Sequence, residues 1–292
     1  MRKTIMLLAA CLAGSIAYAK HDGWYVNNLT ENYRTEHLIW DKTNPPLKVL
    51  FYVRHYGARD VVELAQRMNL EYTPYLSDGT RFYIDNVYAA ALTGNSQFEK
   101  SEELREKAGK DLDVIVLGNV PFVKAPEDTQ FQILLKVKNG TGLIVHGRKL
   151  PYKKIYAKRL ERPAFLDEAV LPFPEKRIEV YRFGKGRILQ INDPSANAAA
   201  LTVTFGESGI RARARQENEL VFLMRALQWA AGKDVTTGKV TMDGDGLKIP
   251  AGAVYRIRDE FNRILAQGSA GEGKVSMAGY ANGTYYCDLI IP

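Results

Sequence analysis

His146 is the side chain whose position in the sequence most suggests acid–base or binding chemistry. It follows an apolar run at residues 142–145, which is typical of a strand buried in a parallel sheet, and Gly147 and Arg148 come next. Open α/β sheets gather ligands and catalytic groups at the carboxyl ends of their strands. The spacing therefore predicts a tight turn at that edge, with an imidazole placed to act as a general base or to hydrogen-bond a ligand. A structural histidine that fills the turn is the alternative.

A second histidine is predicted at the same edge, together with two carboxylates. His55 follows the first apolar run of the chain, and Asp60 and Glu63 lie on a helix predicted over residues 60–68. Pairing of His55 with either carboxylate would build an acid/base site beside His146. A helix N-cap is the competing explanation for Asp60.

The segment after His146 is the most strongly basic in the chain. It is predicted as a long loop over residues 148–174, and seven cations lie between Arg148 and Arg162 against one acid, Glu161. Cations beside aromatic faces bind anionic ligands well, so a site for a glycan or another anion is predicted, with a solvated loop as the alternative. The candidate binding residues at this edge are His55, His146, Arg148, Lys149, Tyr152, Lys153, Lys154, Tyr156 and Lys158.

Other reaction classes lack the residues that they need. No His or Cys pair has the spacing of zinc ligands, and the Asp-Gly-Asp-Gly turn at residues 243–246 lacks the remaining oxygens of a calcium loop. Residues 206–209 do not form a Gly-x-Ser-x-Gly elbow. The Gly-Lys-Gly turn at residues 184–186 joins two predicted strands, which is not the context of a dinucleotide loop. We therefore predict no metal and no cofactor.

The N-terminus predicts export. Residues 1–19 contain two basic residues, an apolar run and a small-x-small cleavage site, so the mature chain is expected to begin at Lys20 in the periplasm or outside the cell. Lipidation at Cys11, within a Leu-Ala-Ala-Cys sequence, is the alternative. The net charge of +7 falls to +5 without the leader, which is too small for a nucleic-acid-binding surface. No membrane span is expected, because no later segment has enough consecutive apolar residues.

The order of periodic segments predicts an α/β domain followed by a small all-β domain. Strand and helix patterns alternate up to the helix predicted at residues 217–231, and short alternating segments separated by turns follow it. The predicted divisions are residues 1–19 (signal peptide), 20–46 (N-terminal extension), 47–234 (α/β domain) and 235–292 (small β-sandwich).

Residues 47–53, 113–118, 141–147 and 183–188 resemble the class I glutamine amidotransferase-like superfamily. The resemblance implies a flavodoxin-like three-layer fold with a mostly parallel sheet. It is greatest for non-catalytic exported members, such as the trimerisation-type domain of bacterial β-galactosidases, and the last 58 residues resemble an immunoglobulin-like module. It implies a non-catalytic binding or assembly role in carbohydrate utilisation. Together with the cations and tyrosines of residues 148–162, this context predicts an anionic or neutral glycan as ligand. A homo-oligomer or a protein partner would use the β-sandwich.

Active members of that superfamily carry a cysteine at the strand-to-helix elbow and a His-x-Glu pair downstream. Here the elbow has His146 and Gly147, and none of the four histidines is followed by glutamate at the second position. Without a thiolate no covalent glutaminyl intermediate forms, so glutaminase activity is predicted to be absent. A hydrolase that uses His146 with Asp60 or Glu63 is the competing functional prediction.

Overall fold

The computed structural model describes residues 45–54, 57–77, 97–120, 122–147, 150, 152–156, 158–168, 177–192, 210–233, 240–261 and 263–290. The predicted signal peptide, most of the N-terminal extension, and His55, Arg148 and Lys149 lie outside these ranges. No helix in the described ranges is both long enough and apolar enough to cross a membrane.

A seven-stranded, mostly parallel sheet is the largest element. Its strands are β1 (Leu47–Arg54), β2 (Leu70–Ser77), β3 (Val114–Gly118), β4 (Gly142–His146), β5 (Lys158–Arg159), β6 (Ile178–Phe183) and β7 (Gly186–Ile191). They lie in the order β2-β1-β3-β4-β7-β6-β5. The pairings from β2 to β7 are parallel, and those of β6 with β7 and β5 are antiparallel.

Helices cover both faces of this sheet. They are α1 (Gly57–Arg67), α2 (Gln97–Gly109), α3 (Glu127–Asn139), the short α4 (Phe165–Glu168) and α5 (Ile210–Ala230). Along β1, Val49 and Phe51 pack with α1 and α5, whereas Leu50 and Tyr52 pack with α2 and α3. Burial on both faces explains why the strands appear in the sequence as unbroken apolar runs.

The first helix differs from its predicted span of residues 60–68. It begins at Gly57, directly after β1, and ends at Arg67. Asp60 therefore lies within the first turn, and its side chain is fully buried. The interpretation of Asp60 as an N-cap is wrong, because the helix has already begun upstream of it.

The inward face of α3 does not contain all of its large apolar side chains. Phe131 and Leu135 are 67% and 43% exposed, whereas Gln130, Ile133 and Val137 are buried. Gln130 tolerates burial because its Nε2 donates hydrogen bonds to backbone carbonyl oxygens at 2.6 and 3.2 Å. The buried face therefore includes a polar residue that an apolar pattern does not reveal.

The turn between β6 and β7 contacts the end of α3. The backbone N–H of Lys185 donates to the Lys138 carbonyl oxygen at 2.9 Å. A Cβ atom on Gly184, whose φ is +58°, would lie 2.2 Å from the same oxygen, and one on Gly186 would lie 2.1 Å from the Val137 oxygen. Only glycine fits this approach, so the hairpin is fixed to the helix end.

Two small antiparallel sheets follow α5. One contains β10 (Val254–Asp259), β11 (Ile264–Ser269) and β13 (Tyr285–Ile290), and the other contains β8 (Thr241–Asp243), β9 (Gly246–Lys248) and β12 (Lys274–Ser276). They share an apolar core that includes Leu247, Val275, Ile257 and Leu289. The prediction of an α/β region followed by an all-β region is confirmed.

A buried charge cluster lies where the all-β region contacts α5. The Nε atoms of Arg256 and Arg258 donate to Asp288 Oδ2 at 2.9 and 2.7 Å, and all three residues are buried. Arg258 Nη2 also donates to Asn218 Oδ1 of α5 at 2.7 Å. Val254 packs on the apolar cluster that contains α5. Apolar and polar contacts therefore join the two regions.

Candidate functional site

The carboxyl end of β4 bends at Gly147, where the sequence predicted a tight turn, and Arg148 lies outside the described residues. The backbone N–H of Asn119 donates to the His146 carbonyl oxygen at 2.7 Å, and the N–H of Gly147 donates to the Ile191 oxygen at 2.9 Å. Gly147 has a φ of +89°, and a Cβ atom there would lie 2.9 Å from the Asn119 side chain. The ends of β3, β4 and β7 are thus held together by backbone hydrogen bonds.

The imidazole of His146 lies in the interior of the protein. The residue is 1% exposed. Ile144, two residues earlier on β4, packs in the cluster with α1 and α5, and side chains two residues apart on a strand share a face. The imidazole therefore lies on the α1 and α5 side of the sheet, and a ligand on the outer surface does not contact it.

The two carboxylates considered for an acid/base site lie on α1. Glu63 Oε2 is 2.5 Å from Arg67 Nη1, one helical turn further along, and both side chains are buried. The same Nη1 donates to the Glu63 carbonyl oxygen at 3.0 Å. Asp60 is also buried, and His55 lies outside the described residues. Pairing of His55 with either acid therefore stays a prediction.

Tyr156 attaches the basic segment to the core. Its hydroxyl donates to Gln190 Oε1 at 3.0 Å and accepts from the Leu150 N–H at 2.8 Å. Its ring centroid lies 4.7 Å from that of Tyr181 in an edge-on arrangement. Burial raises the pKa of Tyr156 to about 12, because the phenolate would lose its hydration. The phenol is an anchor whose polar end faces inward.

Tyr152 forms a second anchor of the same kind. Its hydroxyl donates to Gln130 Oε1, and Gln130 Nε2 in turn donates to the Ala125 carbonyl oxygen at 2.6 Å. The Tyr152 ring lies 6.5 Å from that of Phe122. Sequence reasoning assigned both tyrosines to the ligand and missed their glutamine partners. A lone glutamine in an apolar run gives no signal of this role.

Three cations of the segment face outward. Lys154, Lys158 and Arg159 are exposed, and no ion pair joins them to a carboxylate in the described part of the chain. The backbone of Lys153 lies in a helical turn with Lys154, but its side chain is outside the described residues. Arg162 is partly buried and donates from Nη2 to the Leu166 carbonyl oxygen at 2.9 Å. The described basic segment thus presents exposed cations on a frame held by two tyrosines.

The described side chains show no arrangement of three or more His, Cys, Asp or Glu residues that could hold a metal ion. Comparison with known proteins finds neither a protein-family model nor a curated protein that matches the chain.

Proposed function

We propose that the protein is an exported, non-catalytic binding protein whose basic segment, residues 148–162, binds an anionic glycan. One observation supports the ligand-binding part. Lys154, Lys158 and Arg159 are exposed, while the hydroxyls of Tyr152 and Tyr156 bond to glutamines of the α/β region. A segment held in this way loses little conformational freedom when a ligand binds, which lowers the entropic cost of binding.

The flavodoxin-like fold and kinship with exported, non-catalytic amidotransferase-like domains belong to the same proposal. The strand order β2-β1-β3-β4-β7 supports it, because it corresponds to the 2-1-3-4-5 order of flavodoxin-like sheets. The carbohydrate context rests on the resemblance, and export rests on residues 1–19. The proposal also includes assembly with a second copy or with another protein through the β-sandwich.

The competing prediction, a hydrolase that uses His146 with Asp60 or Glu63, gains no support from the geometry. His146 is buried, and Glu63 is engaged by Arg67. Glutaminase activity is expected to be absent because the elbow offers His146 and Gly147 in place of a thiol. Ammonia release from glutamine that disappears in the His146→Ala variant would contradict this expectation.

Charge reversal in the basic segment tests the proposal. A glycan array on the mature chain first identifies acidic ligands, and Lys153, Lys154 and Lys158 are then changed together to Glu. Removal of three exposed ionic contacts, each worth about 0.2–1 kcal/mol, should weaken binding roughly 3- to 150-fold, and reversal should weaken it further. Binding should also weaken as salt rises, since exposed charges are screened over about 8 Å at physiological ionic strength.

The matched control changes three exposed lysines elsewhere, Lys110, Lys124 and Lys248, to Glu. The control and the basic-segment variant have the same net charge. Any difference in affinity between them therefore depends on where the changed lysines lie. A site in the basic segment would be refuted if the joint change of Lys153, Lys154 and Lys158 left the affinity unchanged. An equal loss of affinity in the control variant would refute it as well.

A further inference from the structure

Three cations lie side by side across the hairpin edge of the main sheet. Lys158 of β5 is directly opposite Arg182 of β6, and Arg182 is directly opposite Arg187 of β7. Residues directly opposite on neighbouring strands project from the same face, and the strands are about 4.8 Å apart. These three residues, which we call the cationic row, therefore cross three strands on one face of the sheet.

The cationic row has no carboxylate to offset its repulsion within the described residues. Lys158 and Arg182 are exposed, and neither forms an ion pair there. Arg187 donates from Nη1 to the Trp229 and Lys233 carbonyl oxygens at 3.1 and 3.4 Å, at the end of α5. The guanidinium carbon of Arg187 also lies 5.6 Å from the Trp229 ring centroid. The C-terminal end of a helix and an aromatic face both offset a positive charge in part, so the charge of Arg187 is partly compensated. The opposed charges of Lys158 and Arg182 have no such compensation within the described residues, and like charges directly opposite destabilise a sheet.

Another pair of opposed cations, outside the cationic row, is compensated. Lys248 of β9 is opposite Lys274 of β12, and Asp243 Oδ2 lies 3.2 Å from Lys274 Nζ. The contrast shows that the fold accommodates opposed lysines with a nearby acid. No acid among the described residues takes that place beside Lys158 and Arg182, so an external anion is the group that would offset their repulsion.

We propose that the cationic row binds an acidic polysaccharide, with Arg182 at the centre and Lys158 shared with the basic segment. The inference rests on the proposed function, because it shares Lys158 with the basic segment. The row lies on the α1 and α5 side of the sheet, as do its strand neighbours Leu160, Val180 and Leu189. Cations one strand apart suit a polymer with repeated carboxylate or sulfate groups, and guanidinium groups bind such groups through paired hydrogen bonds.

A lipid surface and a nucleic acid suit the cationic row less well. Membrane surfaces are bound by cations accompanied by exposed apolar side chains, and single-stranded nucleic acids stack on exposed aromatic rings. The large apolar side chains that are exposed in the described ranges lie on other elements. They are Tyr72, Val123, Phe131, Leu135, Met242 and Phe261.

The test replaces Arg182 with Thr and, as a matched control, Lys248 with Thr. Both changes remove one positive charge from an opposed cation pair, and threonine is a good strand residue. Binding of a heparin-derived octasaccharide and of an oligogalacturonate of the same length is measured by calorimetry on the mature chain at low and high salt, with a neutral dextran oligosaccharide as reference.

We expect Arg182→Thr to weaken binding of at least one acidic oligosaccharide about three- to fivefold, the upper end of what one exposed ionic contact contributes, and to reduce the dependence on salt. The melting temperature of the free variant should be no lower than that of the wild type, because a repulsion has been removed. Lys248→Thr should leave affinity within about twofold, since its exposed charge lies outside the proposed site.

Each other outcome has a distinct meaning. Unchanged affinity in Arg182→Thr, with loss in the Lys153, Lys154 and Lys158 variant, overturns the cationic row and leaves the basic segment as the site. Failure of the wild type to bind either acidic oligosaccharide overturns both proposals. Binding to vesicles of anionic phospholipid, without binding to the oligosaccharides, would reassign the surface to a membrane.

Discussion

Replacing Asp288 with asparagine tests what stabilises the all-β region. The Asp288 carboxylate accepts hydrogen bonds from the Nε atoms of Arg256 and Arg258, and Arg258 Nη2 lies 2.9 Å from Oδ1. All three residues are buried, so solvent screens these charges little. The change keeps the size of the side chain but removes the negative charge that both guanidinium groups bind.

The expected loss of folding stability is large for a change of one side-chain group. Removing one partner of a buried ion pair typically costs about 3–5 kcal/mol. Asparagine retains one carbonyl oxygen as an acceptor, so we expect a value near the lower end, about 3 kcal/mol in the free energy of unfolding. Part of that loss of stability should come from the contact with α5, because Arg258 Nη2 also donates to Asn218 Oδ1 at 2.7 Å.

Urea denaturation followed by circular dichroism measures this loss, and Asp243→Asn is its control. Asp243 pairs with Lys274 at 3.2 Å, but the two side chains are 52% and 73% exposed. Such a surface pair is worth about 0–1 kcal/mol, so the control should lose little. A loss below about 1 kcal/mol in Asp288→Asn, or one equal to that of the control, would refute a stabilising role for this carboxylate.

Tyr156, Gly147 and Cys287 each allow a shorter test. Tyr156→Phe removes the donor to Gln190 and should cost about 1–3 kcal/mol in urea denaturation; an unchanged midpoint would contradict this role. Burial raises the pKa of Tyr156 from 10.0 to about 12, so its contribution is complete below pH 10 and is lost as pH rises towards 12. Wild-type stability should fall more steeply than the variant's over that interval. Gly147→Ala should cost about 1–3 kcal/mol and more than Gly232→Ala, which has positive φ but open space around it; equal losses would mean that crowding is unimportant. Burial raises the pKa of Cys287 to about 11, so iodoacetamide at pH 8 should label the folded protein much more slowly than the protein in urea. Equal labelling rates would exclude a protected thiol.

The central strands were predictable because their environment is simple. β1, β3 and β4 lie inside a sheet that is covered on both faces, so nearly every side chain is apolar and the run is visible in the sequence. The turn after His146 was predictable for a related reason, since glycine permits the φ of +89° found at Gly147. In both cases local chemistry and tertiary environment favour the same structure.

Features that depend on a distant partner were not predictable. Arg256 and Arg258 alternate along β10, a pattern that usually indicates a solvent-facing side of a strand, yet Asp288 on β13 makes their burial possible. Gln130 is buried on α3 because it bonds to Tyr152 and to nearby carbonyls. The sequence records each residue type but not the partner that satisfies it. The orientation of the two tyrosines of the basic segment was missed for the same reason.

The position of β7 has a consequence for the growing polypeptide. β6 is synthesised before β7, but it reaches the rest of the sheet only through β7, which pairs with β4. β6 therefore depends on β7 for its place in the sheet. In a chain that ends before β7, the apolar edge of β4 has no partner from this hairpin, and an open strand edge can pair with another chain. A polypeptide stopped before Gly186 is thus expected to aggregate, whereas one extended past Ile191 has the strand that closes that edge.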